Sequence, residues 1–141
     1  MIRRLKTKNS YFVELPLRIE KKRGNLCFGE AKRHIPFAIK RFYYVFDVPS
    51  KESRGGHAHK KTKQVLFCLR GSIRVELDDG VNKDIIFLSK PNIGIFLGKM
   101  LWHKMTNFKK DTILLILTSE FFNEKDYIRN YNIFKKLSKR K

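Results

Sequence analysis

Glycine and proline recur so often between the apolar runs of this chain that few of those runs are long enough to make a helix. From Ser10 to Val48 the runs YFVELPL, GNLCFGE and FAIKRFYYVFDVP are broken by Pro16, Gly24, Gly29, Pro36 and Pro49. Short alternating stretches bounded by turn formers predict strands. The rhythm continues through KQVLFCLRGSIRVELDDG, where two strand-forming runs flank Arg70-Gly71-Ser72 and Asp79-Gly80 marks a hairpin turn before KDIIFLS. Pro91, Gly94 and Gly98 punctuate the next stretch, and DTILLILTSEFF closes it with an apolar strand. Strands at such short spacing build a sandwich or a barrel.

Only the end of the chain reads as helix. Asn123 is placed to cap a segment in which Tyr127, Ile128, Tyr131 and Phe134 recur at spacings of three and four. Asp126 falls in its first turn and Lys135 and Lys136 in its last, as the helix dipole favours. The basic tail, residues 135–141, is expected to fray. With no repeat, linker or low-complexity tract, residues 1–141 are expected to form one domain around one core.

The formal charge of +19 attracts polyanions, whether nucleic acid, acidic lipid or a ligand bearing a diphosphate. The basic residues are spread along the chain, which fits lysine occupying most solvated positions as well as it fits a binding patch. Cys27 and Cys68 lack the spacing of a zinc ligand set or a disulfide framework, and Cys68, inside VLFCL, reads as a buried reduced thiol. The segment MIRRLKTKNS lacks the apolar core of a signal peptide, and no run approaches a membrane span, so a soluble cytoplasmic protein without membrane or nucleic-acid partners is expected.

Chemistry concentrates in Arg54-Gly-Gly-His57-Ala-His59-Lys60. On a strand, residues two apart share a face, so His57 and His59 converge if that face looks inward. Two convergent imidazoles serve either a metal or acid/base catalysis; otherwise they are surface residues beside Lys60 and Lys61. Four residues separate His59 from Gln64, and six more separate Gln64 from Gly71. This spacing resembles the first motif of the cupin superfamily, whose histidines, a glutamate and a later histidine usually hold a divalent ion. Here the glutamate position is Gln64, which removes a charge and a hard-metal ligand. The second cupin motif is matched loosely by Pro91, Gly94, Gly98, His103 and Asn107, so His103 faces either the same cavity or the barrel rim.

A closer resemblance runs through Ile35 to Pro49, Arg54 to Gly80, LWHKM (Leu101 to Met105) and Ser119 to Phe134. These segments are similar, in order and without large gaps, to the nucleotide-sugar 3,4-ketoisomerases. The resemblance implies an all-β cupin (jelly-roll) barrel with a short C-terminal helix. It also implies a homodimer, and conversion of dTDP-4-keto-6-deoxyglucose to its 3-keto isomer without metal or other cofactor, for unusual deoxysugars including those of lipopolysaccharide.

Moving a ketone from C4 to C3 requires removing the C3 proton, passing through an enediol and returning a proton to C4. Imidazoles with an ordinary pKa near 6.5 can take either role at neutral pH. His57 and His59 are therefore the expected acid/base pair, one neutral and one charged, with His59 as the C3 base. Arg54 is a candidate to stabilise the enediolate or grip the diphosphate. Arg41 and Tyr43 share a strand face that the resemblance places beside the substrate, and Arg23, in KRGNL, matches an arginine-glycine turn proposed to touch the diphosphate. His103 completes the substrate-binding set. Two rivals stand beside this reading: a metal-dependent cupin enzyme using His57, His59 and His103, and a non-catalytic module that binds polyanions through the basic surface.

Overall fold

Alternation of inward and outward side chains, not propensity alone, decides which runs become sheet. In β11 (Ile113–Thr118) Leu114 and Ile116 are buried while their neighbours are only partly so, and in β8 (Lys83–Leu88) Asp84, Ile86 and Leu88 are buried between exposed residues. The structure, a computed structural model, describes residues 4–139. Besides these two strands it contains β1 (Ser10–Glu14), β2 (Leu17–Glu20), β3 (Gly24–Cys27), β4 (Arg41–Phe46), β5 (Arg54–His59) and β6 (Gln64–Arg70). The chain continues with β7 (Ile73–Asp78), β9 (Ile93–Leu97), β10 (Trp102–Thr106), the two-residue β12 (Tyr127–Ile128) and one α-helix, α1 (Tyr131–Ser138).

One five-stranded sheet has the order β1-β9-β6-β11-β4 and the other β12-β5-β10-β7-β8, with antiparallel pairing throughout. Packed face to face, they make an all-β jelly roll of the cupin type, ending in a short helix as the resemblance implies. The sheets do not close into one continuous barrel. The main core lies between them: Leu66, Cys68, Ile95, Leu97, Leu114 and Ile116 from the first sheet meet Ile73, Val75, Leu77, Ile86 and Leu88 from the second. Cys68 is the buried free thiol expected, whereas Cys27 is exposed. The turn at Asp79-Gly80 joins β7 to β8 as predicted, Gly80 supplying a φ of +96°. A separate hairpin, β2 with β3, leaves Leu17, Ile19 and Leu26 exposed.

The pair of glycines in β5 sets the aim of the strand. His57 pairs with His103 and Gly55 with Lys104, so Gly56 is an extra residue opposite a single step of β10. Such a bulge re-aims the side chains beyond it. Residues three apart on a regular strand face opposite ways; across this bulge Arg54 and His57 line the same cavity. Only glycine fits at position 55, because φ is +83° and a Cβ would stand 2.9 Å from the His103 carbonyl oxygen.

The C-terminal segment departs from the expected helix. Asn123 does cap, its side chain accepting from Lys125 N, but what it caps is one 3-10 turn, Glu124–Asp126. Tyr127 and Ile128 then pair with His59 and Ala58 as β12, and helix begins only after a second cap, Asn130. The three- and four-residue spacings do not require a continuous helix; the Asp126 carboxylate is held by donors on the β5–β6 connection, which pulls the chain straight after it. In the tail, Lys135 to Ser138 are helical, with Lys135 Nζ on the Gly80 carbonyl, while Arg140 and Lys141 lie outside the described residues. Phe134, Tyr131 and Leu137 seat α1 against Trp102, Ala58 and Ile128.

Candidate active site

At one end of the space between the sheets the aliphatic filling stops and a cavity of about 360 Å³ opens. The transition can be followed along single strands. The inward residues of β4 run Arg41, Tyr43, Val45, and those of β6 run Gln64, Leu66, Cys68. His103 and Met105 do the same on β10. Of the residues singled out in the sequence, Arg41, Tyr43, Arg54, His57 and His103 line this cavity together. His59 does not line it; it lies behind His57, 2% exposed, with the two ring centroids 5.0 Å apart. Arg23 sits outside the cavity, its exposed side chain paired with Glu20 at 2.9 Å.

Three further lining residues, without an expected role, come from the C-terminal segment. Tyr127 arrives on β12, Arg129 directly after it, and Phe122 on the loop before it. Arg129 lies over the Tyr127 ring at 4.3 Å and reaches both Glu124 carboxylate oxygens, at 2.7 and 3.0 Å. The alternation Tyr127-x-Arg129 was the available signal, hidden by the helical reading. Gln64, noticed only as a departure from a metal motif, is buried and donates through Nε2 to the Tyr43 hydroxyl at 3.2 Å. The Arg41 guanidinium covers Tyr43 at 5.1 Å and Phe122 at 5.6 Å. Burial, then the nearby Tyr127, keeps the Tyr43 hydroxyl protonated, with its pKa above the ordinary phenol value.

The imidazoles are neutral at pH 7. Burial first, and then His59 and Arg129, push His57 down to about 4. His103, wholly buried, is held well below the usual value by burial and by the other two histidines. Burial lowers His59 as well, against the opposing pull of Asp126, whose Oδ2 is 3.0 Å from His59 Nδ1. The half-charged pair expected from the sequence is thus disfavoured, because burial opposes the charged form of each ring.

One ring nitrogen from each of His57, His59 and His103 lies within 4.8 Å of the others, a spacing that a cupin metal site would use. The rest of the lining does not suit a divalent cation. Among the described residues the cavity wall presents three guanidinium groups, Arg41, Arg54 and Arg129, and no acid, while Gln64 in the carboxylate position has its amide on Tyr43. Such a wall attracts an anionic ligand. A bulge-aimed arginine, neutral imidazoles on one sheet and a protonated tyrosine on the other define a cupin-type pocket equipped for proton transfer on an anionic substrate.

The chain belongs to the FdtA family, whose description is "WxcM-like, C-terminal" and whose model matches residues 8–139. It is 49% identical over 114 residues to the TDP-4-oxo-6-deoxy-alpha-D-glucose-3,4-oxoisomerase of Aneurinibacillus thermoaerophilus, covering 81% of this chain and 82% of the relative. A double mutant of the 3,4-ketoisomerase QdtA from Thermoanaerobacterium thermosaccharolyticum, solved in complex with TDP, superposes with a TM-score of 0.91 at 40% identity. That match spans 94% of this chain and 96% of the other. A histidine-to-asparagine variant of the same enzyme, in complex with TDP-4-keto-6-deoxyglucose, also gives 0.91, at 38% identity over 95% and 96% of the two chains.

Proposed function

We infer that this protein is a dTDP-4-keto-6-deoxyglucose 3,4-ketoisomerase that moves the ketone from C4 to C3 by proton transfer, without a metal. The observation that carries the reading is a neutral imidazole, His57, facing a protonated phenol, Tyr43, across an acid-free cavity rimmed by arginines. His57 stands on β5 and Tyr43 on β4, so the two groups belong to opposite sheets. This favours His57 over His59 as the base.

His57 takes the C3 proton, which the neighbouring C4 carbonyl acidifies. Tyr43, held by Gln64, donates to the C4 oxygen as charge develops there, giving the enediol. The phenolate then takes the proton of the C3 hydroxyl, and His57, its proton exchanged with solvent, delivers one to C4, completing the 3-keto isomer. Arg54 and Arg41 stabilise the oxyanion and bind the diphosphate, as fixed cations in a partly desolvated site do. His103, with Nδ1 donating to the Leu101 carbonyl at 3.1 Å, directs its other nitrogen away from that bond as an acceptor for a sugar hydroxyl.

The same reading makes residues 1–141 one catalytic domain that works in the cytoplasm as a homodimer. The exposed aromatic face of β4, with Phe42, Tyr44 and Phe46, supports a self-associating surface. No helix of the described residues is long and apolar enough to cross a membrane. Incubation with the 4-keto sugar nucleotide in deuterium oxide is expected to give the 3-keto isomer carrying solvent deuterium at C4, at a rate unchanged by chelator. Loss of turnover with removal of a stoichiometric ion would instead restore the metal-dependent reading, for which the spacing of the three histidines is the supporting observation.

A further inference from the structure

Asp126, expected in the first turn of a helix, lies in the structure against His59. Its Oδ1 accepts from Lys61 N at 2.6 Å; its Oδ2 accepts from Thr62 Oγ1 at 2.5 Å and Thr62 N at 3.3 Å and faces His59 Nδ1 at 3.0 Å. Backbone pairing fixes the approach: Lys60 N donates to the Asp126 carbonyl, and the next residue, Tyr127, pairs with His59. Burial of this carboxyl works against ionisation, but the hydrogen bonds from Thr62, Lys61 and His59 outweigh it and hold its pKa below the usual carboxylate range.

An ionised carboxylate only accepts, so the proton between the two residues sits on His59 Nδ1 and the lone pair on Nε2. That Nε2 is buried and has no hydrogen-bond partner among the described residues. The same holds for Nδ1 of His57. The two rings stand nearly perpendicular, with an interplanar angle of 86°. The two atoms make no hydrogen bond to each other, so His59 acts on His57 as a packed, oriented neighbour.

We propose that Asp126 is a positioning residue: it fixes the tautomer and the orientation of His59, the buried ring packed at right angles behind His57. When His57 becomes an imidazolium, the Asp126 charge stands one ring further back. Thr62 and Lys61 hold that charge in place from the other side.

The consequence for rate rests on the isomerase reading, while the tautomer does not. Long-range proton–nitrogen correlation spectra of the full chain with 15N-labelled histidine, with His59 identified by loss of its signals in His59→Gln, should show the Nδ1–H form of His59 at pH 7. In Asp126→Asn the amide donates where the carboxylate accepted, so His59 should switch to Nε2–H. There kcat should fall about 10- to 100-fold with KM little changed, as for partners that orient a ligating or catalytic histidine. Asp126→Glu should restore the Nδ1–H signature and part of kcat. Thr62→Val removes a donor from the same carboxylate and should lower Tm while keeping the tautomer. Wild-type His59 in the Nε2–H form would overturn the proposal even if Asp126→Asn failed to fold, and so would an equal fall of kcat in Thr62→Val and Asp126→Asn with no change of tautomer. A wild-type protein inert toward the keto sugar, with His59 in the Nδ1–H form, would sink the isomerase reading and leave the positioning of His59 by Asp126 standing.

Discussion

The two ends of the space between the sheets are built by the same strands and filled in opposite ways. At one end Cys68, Ile73, Val75, Leu77, Ile86 and Leu88 interdigitate and are almost wholly buried. At the other, the next inward positions of β4, β6 and β10 carry Arg41, Tyr43, Gln64 and His103, and the sheets stay apart around a cavity. The filled end supplies apolar burial, worth roughly 1.5–3 kcal/mol for each large aliphatic side chain taken out of water. The open end takes imidazoles out of water without charging them, which opposes stability at low pH and supplies neutral bases for catalysis. Stability and activity are therefore separable by distance along a strand of only a few residues.

The sharpest way to test that separation is His57→Asn. It should lower kcat by about 10²- to 10⁴-fold, the usual worth of a positioned acid or base, and abolish deuterium incorporation, while circular dichroism and Tm stay near wild type. Comparable losses of kcat and Tm together would mean that the cavity wall also carries the fold. Leu77→Ala, at the filled end and 1% exposed, should do the opposite. A cost of about 2–5 kcal/mol in urea unfolding is expected, with kcat per folded molecule unaltered. The smallest effect is on pH. His57 has its folded pKa depressed to about 4 from 6.5, so the unfolded chain takes up the proton first as pH falls. Stability is complete above about 6.5 and is lost as pH drops from there toward about 4. The urea midpoint should fall between pH 7 and pH 5 in wild type and fall less in His57→Asn; equal slopes would show that this ring is not held neutral by the fold.

What was legible in the sequence was whatever depends on neighbours in the chain. The apolar strand at Ile113–Thr118, the turn at Asp79-Gly80 and the inward convergence of the β5 histidines follow from local pattern, and Gln64 was visible as a neutral amide where a carboxylate is usual. What was not legible depends on residues far apart. Asp126 ends its turn because its acceptors meet donors on Lys61 and Thr62, more than sixty residues earlier, and no local periodicity contains that. Arg129 reaches the cavity only because Tyr127 and Ile128 pair with β5. The neutrality of the triad is a property of burial, so the ordinary pKa of a histidine pointed to a half-charged pair. The Gly55-Gly56 bulge was present as letters, but its effect on the aim of Arg54 appears only once β10 is alongside.

Trp102 is the chain's one tryptophan, and it follows β10 outward where His103 follows it inward. Its indole is 5.3 Å from the Tyr131 ring and 5.7 Å from Phe134, both carried by α1. The molecule thus holds a single indole fluorophore mounted on the back of the catalytic wall. Its emission reports whether the helix is seated, and ligand entering on the far side of the strand leaves its aromatic surroundings in place. Docking of the C-terminus and occupancy of the pocket can therefore be followed as two separate optical signals, the first from the native protein without any added dye.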